Sequence, residues 1–276
     1  MDIEKLISDA TQGNRSSLEN IVSRIQDNIY YLALRMLANP EDAKDATQEI
    51  LIKVITNLSS FKFESKFETW VYRVSANYLI SNKKVLDRTP SLTFDSYKKD
   101  LDSDLQEPSE FQDLPEYQIL LNELRISCTM AMLLCLKSAH RMAYILGDIL
   151  ELEHVEASKI LSISKENFRQ QLSRSRAKVV QFTSDSCGLV SRDASCSCEK
   201  KLTGVVARKC IDPDRINFHD NSQKSYSKIK KSLLETQEEL RTLKFQNAVI
   251  PYKCPDELSN IIGSLVDEGI KSNKSN

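Results

Sequence analysis

The sequence predicts an all-α protein, and three observations carry that prediction. Apolar residues recur three and four positions apart through most of the chain, the period of one helix face. Six glycines and seven prolines among 276 residues are too few to supply the turns of a hairpin-rich β fold. Breaks in the periodicity coincide with helix punctuation such as Asn39-Pro40. The expected architecture is two helical domains joined by a flexible acidic linker, the second a helix-turn-helix, followed by a mixed or partly ordered C-terminal extension. The expected boundaries are 1–87, 88–114, 115–182 and 183–276.

In the first domain, Leu18, Ile21, Val22, Ile25 and Ile29 form one helical stripe, continued by Tyr30, Ala33 and Leu37. Asn39 can cap the orphan amides of the next helix, and Pro40 suits a first turn, where its missing N–H costs nothing. That helix places Ala46, Ile50, Val54 and Leu58 on one side, with Asp45, Gln48, Glu49 and Lys53 largely elsewhere. A third helix begins near Lys66, carries Trp70, Val71, Val74 and Tyr78, and ends in Asn82-Lys83-Lys84.

The near-zero net charge of −1 conceals two segments of opposite sign. Residues 95–116 hold eight acids against two lysines, and with two prolines nearby they read as a flexible tether. Residues 165–180 hold five basic side chains against one acid. Here HVEASKIL (154–161), the turn Ser162-Ile163-Ser164 and KENFRQQLSRSRAKVV (165–180) form a helix-turn-helix pattern. Phe168, Leu172 and Val179 face inward, while Lys165, Asn167, Arg169, Gln170, Ser173, Arg174 and Arg176 face outward. Arginine forks match guanine, Gln and Asn match adenine, and Ser and Lys hold phosphates, so this helix is the candidate DNA reader.

These motifs carry a family resemblance. Residues 6–54, with DAKDATQEILIKV (42–54) at their end, resemble the second conserved region of RNA polymerase sigma factors of the small, two-domain extracytoplasmic-function type. KFETWVYRVSANYLIS (66–81) resembles that region's continuation, and the helix-turn-helix resembles the family's fourth region. The resemblance implies that Asp45, Gln48, Glu49 and Lys53 grip the clamp helices of the largest polymerase subunit. It implies that Lys66, Thr69, Trp70, Tyr72, Arg73, Asn77, Lys83 and Lys84 open and read the minus-ten element. Lys165, Asn167, Arg169, Gln170, Ser173, Arg174 and Arg176 would then read the minus-thirty-five element. Aromatic and basic groups on the minus-ten helix suit single-stranded DNA, although a lone Trp in such a helix can equally belong to the core. The acidic linker would follow a path otherwise occupied by nucleic acid, its carboxylates standing for phosphates, or would serve only as a solvated tether. Glu151-Leu152-Glu153 replaces the family's usual Gly-Leu-Ser, and Ser162 stands where a turn glycine is usual, so Ser162 is expected to bear a left-handed conformation or another turn.

The implied function is promoter recognition, DNA opening and transcription initiation by a non-enzymatic, cytoplasmic protein, with core RNA polymerase, promoter DNA and an anti-sigma factor as partners. The alternatives are a stand-alone helix-turn-helix regulator and a degenerate sigma acting as an interaction module. His140, His154 and His219 lack a metal-protease spacing, and no glycine loop suits a phosphate. No run of 18 apolar residues predicts membrane insertion, and the start lacks a signal-peptide core. Cys187, Cys196, Cys198 and Cys210, spaced C-x8-C-x-C-x11-C, could be zinc ligands, a redox switch or ordinary thiols. Otherwise no cofactor is expected. Cys128 and Cys135 read as core.

Overall fold

A computed structural model describes residues 3–82, 91–107, 116–218, 224–249 and 251–256. Among the described residues there are twelve α-helices and no β-strand, as the periodicity predicts. The chain divides into two compact units. Unit 1 comprises residues 1–89, 152–168 and 251–276, and unit 2 comprises residues 90–151 and 169–250.

Unit 1 is built on α1 (Ile3–Thr11), α2 (Arg15–Leu37), α3 (Pro40–Thr56) and α4 (Phe67–Ser81). The stripe Leu18, Ile21, Val22, Ile25 and Ile29 is fully buried, and it meets Ala43, Ala46, Ile50 and Val54 of α3 in one core. Asn39 caps α3 as its sequence position demands, accepting from the amides of Glu41 at 2.9 Å and Asp42 at 3.0 Å. Such a cap is worth about 1 kcal/mol. It sets where α3 begins, and therefore which of its side chains face solvent. Unit 1 also contains α8 (His154–Leu161), packed on α4, and residues 251–256, where the Cys254 amide donates to Asp27 at 2.8 Å.

Unit 2 contains α5 (Phe94–Asp102), α6 (Tyr117–Leu134), α7 (Ser138–Tyr144), α10 (Cys198–Ala207), α11 (Tyr226–Leu234) and α12 (Glu238–Asn247). The division between units falls within α9 (Lys165–Ser186), between Phe168 and Arg169. A π-helical turn, Ile145–Ile149, follows α7. A Cβ at Gly147 in that turn would lie 2.6 Å from the tip of the Leu172 side chain of α9, which would have to shift to admit it.

One expectation is corrected here. Residues 91–107 of the expected flexible linker are ordered around α5; the linker's other residues lie outside the described ones. Thr93 and Ser96 form a reciprocal capping box, and Tyr97 and Leu101, four apart, bury one face in the unit 2 core. The acids that make this stretch resemble a tether are matched by cations of α10 and the residue after it. Asp100 pairs with Arg208 and Lys201, Asp104 with Arg208, and Glu107 with Lys200.

Much of the described C-terminal extension packs into the unit 2 core. Leu202, Val205, Ile211, Tyr226, Ile229, Leu233 and Phe245 share one core with Leu120, Leu121 and Leu124 of α6. Glu123, buried within α6, accepts from the amides of Asn217 and Phe218 at 3.0 and 2.9 Å, which fixes the loop IDPDRINF.

Candidate nucleic-acid interface

The cap at Asn39 and the apolar face of α3 decide what the helix shows to solvent. Asp45, Glu49 and Lys53 follow one another at four-residue intervals and are all exposed, with Gln48 half-buried beside them. Eight residues of helix give this polar stripe a length of about 12 Å. The Lys53 ammonium lies 5.9 Å from the centre of the Tyr78 ring of α4.

On α4 the expected minus-ten residues separate into two groups. Lys66, at its N-cap, and Arg73 and Asn77 lie on one side of the helix, away from its buried face. Thr69 and Trp70 are buried. Trp70 is 6% exposed and packs against Phe61 and Phe67 with ring centres 5.6 and 5.8 Å away. Of the two readings the sequence leaves open for Trp70, a face for an unstacked base or a core residue, its burial against these rings fits the second, contrary to its expected minus-ten role. The Thr69 hydroxyl donates to the Glu156 carboxylate of α8 at 2.5 Å. Burial, with Glu156 and Glu68 nearby, pushes the half-buried Tyr72 phenol up to about 12. Lys83 and Lys84 lie outside the described residues.

An aromatic side chain that the sequence reading misses is Phe63. It is 50% exposed, sits at φ 59° in the connection between α3 and α4, and leans on Phe61 with ring centres 4.8 Å apart. A positive φ is uncommon for a residue of this bulk. The Phe61-x-Phe63 spacing is visible in the sequence, but nothing in it distinguishes the buried ring from the open one.

The helix-turn-helix forms as its sequence predicts. Ser162 ends α8 in the left-handed conformation, φ 54° and ψ 40°, so the missing glycine changes the cost of the turn rather than its geometry. The Ser164 hydroxyl accepts from the Asn167 amide at 3.1 Å at the start of α9. Asn167, Arg169, Gln170, Ser173 and Arg174 are exposed, and Lys165 is half-buried.

Arg176 is the exception to the open basic face. Its guanidinium donates to both oxygens of Asp148, at 2.9 and 2.5 Å, and the Asp148 side chain is 3% exposed. Arg176 thus satisfies a buried carboxylate at the π-helical turn, a contact its expected role on DNA does not include. Arg176→Ala is expected to destabilise unit 2 by about 2 kcal/mol, less than a fully buried pair because the arginine is half-exposed. Chemical denaturation measures this, with Lys178→Ala on the same helix as the control for removing one surface cation.

Cys187, Cys196 and Cys198 line one cavity in unit 2, whereas Cys210 is exposed and lines a different one. Among the described residues no three acidic, His or Cys side chains already stand in an arrangement that could hold a metal ion.

Residues 21–89 match the family model for Sigma-70 region 2, which spans most of α2, all of α3 and all of α4. Unit 1 therefore carries a Sigma-70 region 2 domain. The chain is 29% identical over 178 residues to the ECF RNA polymerase sigma factor SigW of Bacillus subtilis (strain 168), covering 64% of this chain and 94% of that protein. It is 26% identical over 180 residues to the ECF RNA polymerase sigma-E factor of Escherichia coli (strain K12), covering 63% and 90% respectively. The chain therefore carries a Sigma-70 region 2 domain and is similar over nearly two thirds of its length to extracytoplasmic-function sigma factors. A solved structure of the sigma factor RpoE with the anti-sigma factor NepR from Bartonella quintana aligns at TM-score 0.41 and 17% identity, covering 59% of this chain and 94% of that one. Among the described residues, no helix is long and apolar enough to cross a membrane.

Proposed function

We propose that this chain binds core RNA polymerase through the α3 stripe of Asp45, Gln48, Glu49 and Lys53 and directs it to promoters in the cytoplasm. The observation that carries this reading is a coincidence of surface and family: within the region 2 match, Asp45, Gln48, Glu49 and Lys53 lie off the buried face of α3. On α4, Lys66, Arg73 and Asn77 track the strand at the minus-ten element. Phe63 supplies the open aromatic face on which an extruded base stacks, an interaction worth about 1–3 kcal/mol. On α9, Asn167, Arg169, Gln170, Ser173 and Arg174 read the minus-thirty-five element in the major groove. An anti-sigma protein would act by covering the α3 or α4 surface.

In vitro transcription with purified core polymerase, followed by sequencing of the RNA 5′ ends, tests the proposal. Defined start sites that appear only with the chain support it. A chain that binds promoter DNA without binding core polymerase would be a stand-alone regulator. One that binds core polymerase without producing starts would be an interaction module.

A further inference from the structure

Residues 251–256 return to unit 1 after the chain has completed unit 2 at Ile250. Through Pro255 this segment, Pro-Tyr-Lys-Cys-Pro-Asp, forms no helix. Its burial alternates instead. Tyr252 and Cys254 are 8% and 6% exposed, whereas Pro251 and Lys253 are open to solvent. A period of two belongs to extended backbone with one face laid against a surface. The two prolines favour that geometry, because each fixes its own φ and Pro255 biases Cys254 towards an extended conformation. Little conformational freedom is then left to lose on seating.

The seat is about one turn of α2. The Cys254 amide donates to the Asp27 carboxylate at 2.8 Å, across 227 positions of sequence. The Tyr252 ring lies 6.4 Å from that of Tyr31, at an interplanar angle of 35°. Asp27 and Tyr31 stand four residues apart, so the two contacts fall on one face of the helix. Tyr31 is itself fixed by the buried Arg35, whose guanidinium donates to the Tyr31 hydroxyl at 3.1 and 3.3 Å and lies 5.3 Å from the ring centre. Tyr30 lies within electrostatic range of Cys254. Asp27, Tyr30 and Tyr31 all fall within the Sigma-70 region 2 match, so a piece of the C-terminal extension occupies a surface of the family domain.

Six residues are few for a stable interface, which usually takes about 20–30 residues a side. Attachment to the same chain compensates, since a tethered segment is presented at an effective concentration in about the millimolar range. A ligand held in this way is seated most of the time and can be exchanged for another.

We propose that Asp27, Tyr30 and Tyr31 form a peptide-docking seat on the region 2 domain, filled in cis by residues 251–256 and taken in trans by a partner protein that offers the same pattern. The pattern is an extended peptide with an aromatic residue, a small apolar residue two positions on, and a proline directly after it. The aromatic ring takes the place of Tyr252 on Tyr31. The small residue lies where Cys254 does, beside Tyr30, and its amide donates to Asp27. The position between them, Lys253 here, faces solvent and sets no requirement. A partner seats itself by releasing the strap, so the C-terminal extension is a built-in competitor at this surface.

Cys254 reports on the seat. Burial, with Asp27 nearby, pushes its thiol up to about 12, and the thiolate is the form that attacks a maleimide, so a seated Cys254 labels slowly. The full reduced chain is pulsed with N-ethylmaleimide, and modification of each cysteine is read by peptide mass mapping. The exposed Cys210 is expected to label about 10-fold faster than Cys254. Tyr252→Ala and Asp27→Ala should each raise the labelling of Cys254 about 10-fold while the helical circular dichroism stays unchanged. The 251–256 peptide carrying Cys254→Ser, added at about millimolar concentration, should expose Cys254 of the unaltered chain. The same peptide also carrying Tyr252→Ala should not. Labelling of Cys254 as fast as Cys210 in the unaltered chain overturns the strap, as does protection that survives both substitutions. No exposure by the first peptide, or equal exposure by both, overturns the docking seat. Should a variant fail to fold, the peptide competition on the unaltered chain decides. Neither polymerase nor DNA enters these measurements, so their outcome is independent of the transcription assay.

Discussion

Asp45→Lys combined with Glu49→Lys is expected to weaken binding to core polymerase on the order of 100-fold, because two attractive charge pairings become repulsive at one interface. The pair lies on one stripe of α3, four residues apart, and both side chains are exposed. Neither contributes to the Asn39 cap or to the Ala43, Ala46, Ile50 and Val54 face, so the helix keeps its supports. Surface substitutions of this kind usually move stability by less than about 0.5 kcal/mol. The measurement is a titration of labelled protein with core polymerase, paired with a denaturation curve. Unchanged affinity with an unchanged fold would remove α3 from the interface.

Arg169→Ala combined with Arg174→Ala should weaken promoter binding by about 1–3 kcal/mol for each arginine that reads a base edge. If instead they touch phosphates, removing each one should flatten the slope of log K against log salt by about one unit, with little change in sequence preference. Binding measured across a salt series on a matched and a scrambled upstream element separates the two. The double variant leaves Phe168, Leu172 and Val179 in place, and it leaves Arg176 to satisfy Asp148. Binding identical to the unaltered chain at every salt concentration would take the reading role away from α9.

The sequence by itself determined α2, α3 and α4, the cap at Asn39, the polar stripe of α3 and the helix-turn-helix. Each is a local consequence of periodicity, capping chemistry or turn residues, and such signals need only a few neighbouring positions. For Ser162 the sequence leaves a left-handed conformation or another turn, and the structure takes the first.

Tertiary structure decided everything that depended on which distant side chain lies opposite. Trp70 and Phe63 are both aromatic residues near α4, and only the packing around Phe61 and Phe67 shows which ring is buried. Arg176 resembles its basic neighbours until Asp148, 28 residues away, is brought beneath it. The acidic stretch reads as a solvated tether because its partners Lys200, Lys201 and Arg208 come from the far side of α6 and α9 in the chain. Cys128 cannot be joined to Cys187, Cys196 and Cys198 from spacing, although all four line one cavity. Burial energy is non-directional and takes partners from anywhere in the chain, whereas helix periodicity and capping are local.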